Sequence, residues 1–130
     1  MELSVSTSAP IEVLDVTDRV EAAVGDDVES GVATVFVSHT TAAVVVNEAE
    51  PRLVSDVEEF VAGLVPEDRR YRHDEIDDNA ASHLRAMLLG ESVSVPVEDG
   101  RLALGTWQSI LFVECDGPRS RRLNVTVVES

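Results

Sequence analysis

The chain has 130 residues and carries 25 aspartates and glutamates against ten basic residues, all of them arginine, so its formal net charge is −15. A chain of this length fits one domain, over residues 1–130, with its own hydrophobic core. Such an acidic surface repels nucleic acid, and no segment is long and apolar enough to cross a bilayer. We therefore expect neither nucleic acid nor a membrane as a partner.

The acidic surplus also fits a chain from a halophilic source. Molar salt shortens the screening length to about 3 Å and removes most of the self-repulsion. An ordinary acidic surface is the alternative. Cys115 is the only cysteine, so the sequence has neither a disulfide pair nor a cysteine zinc motif. The first residues lack the basic start and apolar run of a secretory signal, and we expect a cytoplasmic location.

The first half of the chain contains three predicted strands and one short helix. Residues 2–8 form the first strand, and a helix over 17–24 follows, with Thr17 as its cap. The apolar run 31–40 predicts a strand that is buried on both faces. A further strand over 41–48 comes directly after it.

The second half begins with two helices and ends in strands. The clearest helix spans 51–65 and starts with a proline, which is tolerated at a first helical position. Polar residues 66–78 predict a surface loop, and the second helix covers 78–89. Asp99-Gly100 is a hairpin turn signal, and the last strand covers 122–129. Two groups of strands separated by helices predict an α+β domain with a largely antiparallel sheet.

The three histidines lie on separate predicted elements. His39 ends a strand, His73 lies in the polar loop, and His83 lies on the second helix, where Asn79 shares its face. Three imidazoles with one open coordination position suit a catalytic zinc or similar ion. No local metal motif is present, so the alternative of a solvated His73 and a His83 satisfied by a backbone carbonyl stays open.

A predicted apolar strand near the C-terminus carries polar side chains. Alternation along 107–116 puts Gln108, Glu114 and Asp116 on one face. A buried carboxylate requires a partner such as a metal, an arginine or a substrate amine. Arg119 follows the next turn and is one such partner. Either it forms a salt bridge that stabilises this turn, or its planar fork binds a phosphate.

Three segments together resemble the YjbQ-like family, whose members are described as secondary thiamine-phosphate synthases: SHTTAAVVVNE at 38–48, YRHDEIDDNAASHLRAMLLG at 71–90, and LALGTWQSILFVECDGPRSRRL at 102–123. The resemblance implies a compact α+β domain that assembles as a homotrimer. It also implies that the protein joins a pyrimidine methyl diphosphate to a thiazole phosphate and releases pyrophosphate. The expected partner is therefore a small phosphorylated molecule.

The same resemblance implies roles for single residues. A divalent metal, zinc or a similar ion, is expected at His39, His73 and His83, while magnesium is the ion that a diphosphate substrate would bring. The expected catalytic residues are Glu48 or Glu114 beside a developing carbocation and Arg119 on the leaving diphosphate. The residues expected to bind substrate are Asn47, Asn79, Trp107, Gln108, Asp116 and Arg119.

Two further functions stay open, because a leaving pyrophosphate normally recruits magnesium through oxygen ligands rather than a histidine-bound ion. One is a metal-dependent hydrolase of a small phosphorylated or acyl substrate, with Glu48 or Glu114 as general base. The other is a non-catalytic trimeric protein that binds a metal or a small anion.

Overall fold

The computed structural model describes residues 1–130 as two antiparallel sheets and three α-helices, which confirms the predicted α+β class. The elements in chain order are β1 (Glu2–Ser6), β2 (Glu12–Asp15), α1 (Thr17–Val24), β3 (Ser30–Val37), β4 (Ala42–Asn47), α2 (Pro51–Leu64), a one-turn 3-10 helix (Arg72–Glu75), α3 (Ala80–Leu89), β5 (Ser92–Glu98), β6 (Arg101–Leu102), β7 (Ser109–Glu114) and β8 (Ser120–Glu129). None of the helices has the length and apolar character needed to span a membrane.

The strands form a five-stranded sheet in the order β1-β8-β3-β5-β6 and a three-stranded sheet in the order β2-β7-β4. The larger core, of 16 buried residues, contains inward residues of the first sheet together with Ile110 and Phe112 of β7. The opposite face carries Leu111 and Val113 of β7 and Cys115 directly after it, which belong to a second core that includes residues of α2. The predicted alternation along β7 is therefore confirmed, and the three-stranded sheet is the middle layer.

The prediction that the strand after residue 30 is buried on both faces is wrong. In β3, Ala33 and Val35 are fully buried, whereas Val32 and Phe36 are 45% and 43% exposed. Strands β5 and β8 pair with both edges of β3, but no element covers its outer side. We call the uncharged centre of this surface the outer face; it consists of Val32, Thr34, Phe36, Pro96, Thr126 and Val128.

Several predicted boundaries shift. Strand β3 ends at Val37, so His39 lies in the turn after it rather than on the strand. Helix α1 covers the predicted residues, but its N-cap is Val16 and not Thr17. Helix α3 begins two residues later than predicted, with Asn79 as its N-cap residue. Strand β2 is only four residues long and was not predicted.

The Asp99-Gly100 turn forms as predicted. Both residues have a positive φ, 52° and 75°, which is the geometry of a tight hairpin turn. The turn joins β5 to the two-residue strand β6.

Candidate functional site

Six of the predicted site residues gather at one end of the three-stranded sheet. Strands β4 and β7 are antiparallel, and Ala42 at the start of β4 lies opposite Glu114 at the end of β7. The turn before β4 and the turn after β7 therefore meet at this end. Helix α3 contacts β4 there. The residues brought together are His39, His73, Asn79, His83, Asp116 and Arg119.

His39 and His83 line one cavity of about 430 Å³, which we call the histidine cavity. Its other walls include apolar side chains of β3, β4 and α3, namely Phe36, Val37, Ala42, Ala86 and Met87. Cavities that bind small molecules usually have such volumes and combine apolar walls with a few polar groups. The histidine cavity therefore suits a small ring with a polar substituent.

His39 is held in one tautomer. Its Nε2 accepts a hydrogen bond from the Arg122 backbone N–H at 3.0 Å, so the ring proton is assigned to Nδ1. Burial lowers the pKa of His39, the charge of Arg121 lowers it further, and the nearby Glu114 carboxylate opposes them. A neutral His39 therefore presents Nδ1–H as a hydrogen-bond donor.

A chain of hydrogen bonds connects His73 to Arg119. His73 Nε2 lies 3.0 Å from Asn79 Oδ1, Asn79 Nδ2 donates to Asp116 Oδ2 at 3.1 Å, and Arg119 Nη2 donates to the same oxygen at 2.9 Å. Because an ionised carboxylate only accepts, it orients the Asn79 amide with its oxygen toward His73. His73 Nε2 is therefore the donor, and its Nδ1 makes no hydrogen bond.

The side chain of Asn79 serves this chain instead of its own helix. Asn79 is the N-cap residue of α3 but makes no capping hydrogen bond. Asp74 replaces it, because its Oδ1 accepts the Ala80 backbone N–H at 3.1 Å. An asparagine at an N-cap normally bonds to its own helix, so this substitution frees the Asn79 amide for His73 and Asp116.

The two parts of the site meet at a pair of rings. The centroids of His73 and His83 are 4.7 Å apart, and the ring planes are inclined at 81°. His83 lines the histidine cavity, whereas His73 begins the hydrogen-bond chain. The hydrogen-bond chain and the histidine cavity therefore lie side by side.

Glu114 lies behind this site in a buried ion pair. Its carboxylate is fully buried and binds Arg121 through both oxygens. It also accepts hydrogen bonds from Thr7 Oγ1 at 2.8 Å and from the backbone N–H groups of Cys115 and Asp116. Burial raises the pKa of Glu114, but the hydrogen bonds from Arg121, Asp116 and Thr7 together lower it below its ordinary value.

This environment gives Glu114 a positioning role, because it binds the backbone of Asp116 and does not line the histidine cavity. Arg121, which the sequence analysis did not single out, is its partner. Strand alternation could have identified it, because Arg121 shares the inward face of β8 with Leu123 and Val125. The strand predicted from 122 began one residue too late to include it.

The turn that carries Asp116 is closely packed. A Cβ atom on Gly117 would lie 2.3 Å from the Ala9 carbonyl oxygen and 2.8 Å from Glu114 Cγ. The Gly117 N–H donates to the Pro10 carbonyl at 3.0 Å, and the Gly117-Pro118 peptide bond is cis. Glycine is therefore required here by the close approach of the chain before β2.

Four other predicted site residues lie at the opposite end of the three-stranded sheet. Asn47 at the end of β4 pairs with Ser109 at the start of β7. A six-residue strand separates its two ends by about 17 Å. This second group consists of Asn47, Glu48, Trp107 and Gln108. Trp107 is 73% exposed, and Gln108 Oε1 accepts the Gly105 N–H at 2.8 Å.

The residues of one chain do not fit the divalent ion that the resemblance implies. No group of three or more His, Cys, Asp or Glu side chains is arranged to hold a metal ion. His39 Nε2 already accepts the Arg122 N–H, and His73 Nε2 bonds to Asn79. We therefore derive no chemical step through a metal.

Comparison with known proteins shows close similarity along the whole chain. The family described as UPF0047 protein YjbQ-like matches residues 1–130. A UPF0047 protein of Archaeoglobus fulgidus is 52% identical over 96% of this chain and 98% of its own length. A UPF0047 protein of Methanothermobacter thermautotrophicus is 49% identical over 97% of this chain and 89% of its own length.

Solved structures have the same fold. The crystal structure of a YbjQ-like protein of unknown function from Sulfolobus solfataricus superposes with a TM-score of 0.95 at 39% identity and covers 100% of this chain and 96% of that one. A hypothetical protein from Aeropyrum pernix gives a TM-score of 0.93 at 46% identity, with 100% and 98% covered.

Proposed function

The chain belongs to the UPF0047 YjbQ-like family, and on that premise we propose that it is a transferase of the thiamine-phosphate synthase type. In this reaction the bond between the pyrimidine methylene carbon and the diphosphate oxygen breaks, and its electron pair leaves with pyrophosphate. The lone pair of the thiazole phosphate nitrogen then forms the new bond to carbon.

The observation that best supports this proposal is that the histidine cavity lies directly beside the hydrogen-bond chain from His73 to Arg119. An aromatic ring fits beside the apolar walls formed by Phe36, Ala42 and Met87. A charged leaving group fits beside the chain that ends at Arg119. Such a division suits a substrate with an aromatic ring at one end and a diphosphate at the other.

Arg119 is the residue that we assign to the diphosphate. Its side chain is 50% exposed, and two of its N–H groups donate to Asp116. A guanidinium has five N–H donors, so three remain for phosphate oxygens. Asp116 fixes the orientation of the guanidinium before the substrate arrives, which lowers the entropic cost of binding.

One histidine supplies a donor where negative charge develops. As the carbon–oxygen bond breaks, charge accumulates on the leaving oxygen, and oriented N–H groups stabilise it. His39 offers Nδ1–H, because its other nitrogen is engaged by Arg122. The single N–H of His73 donates to Asn79, so His73 positions the hydrogen-bond chain and is not a second donor to the leaving oxygen.

The test is an assay of the purified protein with the two precursors, followed by an assay of phosphate release from generic phosphate esters. We expect thiamine phosphate in the first assay and no release in the second. Arg119→Gln should abolish product. Arg101→Gln, which removes an equal charge from the edge strand β6, should retain it. The absence of thiamine phosphate under all conditions would refute the proposal.

A hydrolase is the second candidate, and the state of His73 favours it. Its Nδ1 makes no hydrogen bond, while Asn79 holds the ring by Nε2, as a general base requires. Glu114 does not serve as this base in our proposal, since Arg121 and Thr7 occupy its oxygens. Phosphate release from esters without thiamine phosphate formation would favour this candidate. Retained ligand binding without either product would indicate a non-catalytic binding protein.

We also propose that the protein acts as a homotrimer in which the second group, Asn47, Glu48, Trp107 and Gln108, completes the site of a neighbouring subunit. The accessible surface of one chain is 7841 Å², whereas a monomer of this mass normally exposes about 6,700 Å². The uncharged outer face offers a contact surface on an otherwise acidic chain. Phe36 belongs to both this face and the histidine cavity, so a subunit bound there would border the cavity.

Mixing of two inactive variants tests this shared site. His83→Ala removes a cavity residue, and Trp107→Ala removes a residue of the second group. After co-refolding, we expect mixed trimers to recover activity, because some interfaces then combine intact halves. Sedimentation as a monomer, or no recovery from trimeric mixtures, would contradict the shared site.

Three accompanying properties belong to the same proposal. The divalent metal stays a prediction, and elemental analysis of the wild type and His83→Ala would detect it. A halophilic source predicts that thermal stability rises from low salt to molar KCl, because salt screens the charge of −15. A cytoplasmic location accords with the single Cys115, which is buried and free.

A further inference from the structure

Three of the ten basic residues lie within four positions of the loop between α2 and α3: Arg69, Arg70 and Arg72. The chain has a net charge of −15 and no lysine, so positive charge is scarce elsewhere on its surface. Adjacent cations repel one another unless an anion joins them. This concentration therefore indicates a local electrostatic function.

The guanidinium groups of these three arginines form no ion pairs within the protein. All three residues are exposed, and none has a carboxylate within salt-bridge distance. Five other arginines do form such pairs: Arg52, Arg85, Arg119, Arg121 and Arg122. The N–H donors of the loop arginines are therefore available to a ligand.

These arginines line one cavity of about 510 Å³, which we call the arginine cavity. Tyr71, Asp74 and Glu75 complete its lining. One oxygen of Asp74 already accepts the Ala80 N–H. Three positive groups against two carboxylates leave the arginine cavity with an excess of positive charge on a strongly acidic molecule.

The loop is anchored at both its base and its middle. Buried Arg85 donates to the carbonyl oxygens of Ala62 and Val65 at 2.7 and 2.8 Å, and to Glu67 at 2.9 Å. Tyr71 Oη donates to the Pro66 carbonyl at 2.7 Å. These bonds order the chain before the arginines and between them, which limits the entropy lost when a ligand binds.

An aromatic contact orients one of the three arginines. The guanidinium carbon of Arg69 lies 5.6 Å from the centroid of the Tyr71 ring. A cation at this distance from an aromatic face is attracted to it. The contact leaves the N–H groups of Arg69 without a hydrogen-bond partner in the protein.

The arginine cavity adjoins the candidate site. A smaller cavity of about 200 Å³ shares Tyr71 and Asp74 with it and is also lined by Asn79. Arg72 and His73 are consecutive in the same 3-10 helix. A ligand held by the arginines can therefore extend toward the hydrogen-bond chain.

We propose that Arg69, Arg70 and Arg72 form a second phosphate subsite, which binds the phosphate monoester of the acceptor substrate while Arg119 binds the diphosphate of the donor. The donor carries a diphosphate and the acceptor carries a phosphate monoester. Arg119 alone can bind only one of these two groups. The assignment of this phosphate to the acceptor rests on the proposed transferase function. Binding of a phosphate monoester to the arginine cavity does not.

Calorimetric titration with thiazole phosphate and with inorganic phosphate tests the subsite. The variant Arg69→Gln/Arg70→Gln/Arg72→Gln removes the three charges, and Arg101→Gln is the control outside the cavity. Because charge-assisted hydrogen bonds are lost, we expect the triple variant to bind thiazole phosphate at least about tenfold more weakly, with a shallower salt dependence. The control should match the wild type. Inorganic phosphate binding as tightly as thiazole phosphate would identify a free-anion site.

Several outcomes would overturn the subsite: no binding of thiazole phosphate to the wild type, equal affinity in the triple variant and the control, or binding of inorganic phosphate as tightly as thiazole phosphate or more tightly. A triple variant that dissociates into monomers at unchanged affinity would identify a protein contact instead. Circular dichroism verifies that the variants are folded. Arginine-dependent binding without transferase activity would refute the proposed function and keep the subsite. If the triple variant had transferase activity with an unchanged KM for thiazole phosphate, the proposed function would stand and the subsite would be refuted.

Discussion

Substitution of Glu114 by glutamine should destabilise the protein more than any other loss of a single carboxylate charge. The side chain keeps its size, but an amide NH₂ replaces one of the two acceptor oxygens. Arg121 binds both oxygens, and the N–H groups of Cys115 and Asp116 bind one of them. Either orientation of the amide therefore points donors at donors and leaves the buried guanidinium unpaired.

The magnitude follows from the burial of this pair. Side-chain exposure is 0% for Glu114 and 5% for Arg121. Removal of one partner from a buried pair costs about 3–5 kcal/mol, a large part of a typical domain's unfolding free energy. At roughly 3 °C per kcal/mol, the melting temperature should fall by about 10 °C or more. Arg121→Met should cost a similar amount, because it leaves the carboxylate unpaired.

Urea denaturation followed by far-UV circular dichroism measures these effects at one fixed protein concentration. The double variant Glu114→Gln/Arg121→Met should lose at least about 1 kcal/mol less than the sum of the single variants, because the pair is coupled. Glu98→Gln, which removes an exposed carboxylate from β5, is the control and should stay within about 0.5 kcal/mol of the wild type.

The pH dependence gives a second readout. Because the folded pKa of Glu114 lies below its usual value of 4.5, its contribution is complete above that pH and is lost as pH falls through the folded pKa. The glutamine variant should lack this part of the acid-induced loss. A loss of stability below about 1 kcal/mol in Glu114→Gln would refute the assignment of a strongly coupled buried pair.

Three further predictions concern His39, Gly117 and Cys115. The folded pKa of His39 is depressed, so its contribution to stability is complete above pH 6.5 and declines as pH falls through the folded pKa. Titration from about pH 7.5 to about pH 5.5 should therefore destabilise the wild type more than His39→Gln, and equal slopes would contradict this. Gly117→Ala should cost at least about 2 kcal/mol in urea denaturation because its Cβ has no space, whereas Gly63→Ala on α2 should be neutral or stabilising. Burial raises the pKa of Cys115 to about 12, so a thiol reagent should modify it only in denaturant; rapid labelling of the native protein would show that the second core opens.

The sequence predicted the class of fold because periodicity reports local burial. Alternation along β7 assigned its residues to the correct faces, and helical spacing located α2 to within a residue. The same evidence failed for β3, where a nearly continuous apolar run predicted two buried faces. An apolar run shows only that a face is unsuited to water; whether another layer or another subunit covers it depends on tertiary and quaternary structure.

The types of residue in the candidate site were predictable from the sequence. Their division into two groups at opposite ends of the three-stranded sheet was not. His39 and Asp116 come from turns whose proximity depends on the register between β4 and β7, which the local sequence does not encode. Arg119 was the predicted arginine partner, but the buried partner of Glu114 is Arg121, which strand parity places on the inward face of β8. The separation of Trp107 from the histidines likewise follows from β7 running the length of the sheet.

The position of the only tryptophan has a practical consequence for spectroscopy. Trp107 is 73% exposed and lies in the turn before β7, outside both cores, so its indole is largely hydrated in a single chain. Its emission should change little when urea unfolds an isolated subunit. If a neighbouring subunit covers this turn, the emission should instead shift to shorter wavelength as protein concentration rises. Intrinsic fluorescence of this protein is therefore a natural probe of assembly rather than of folding.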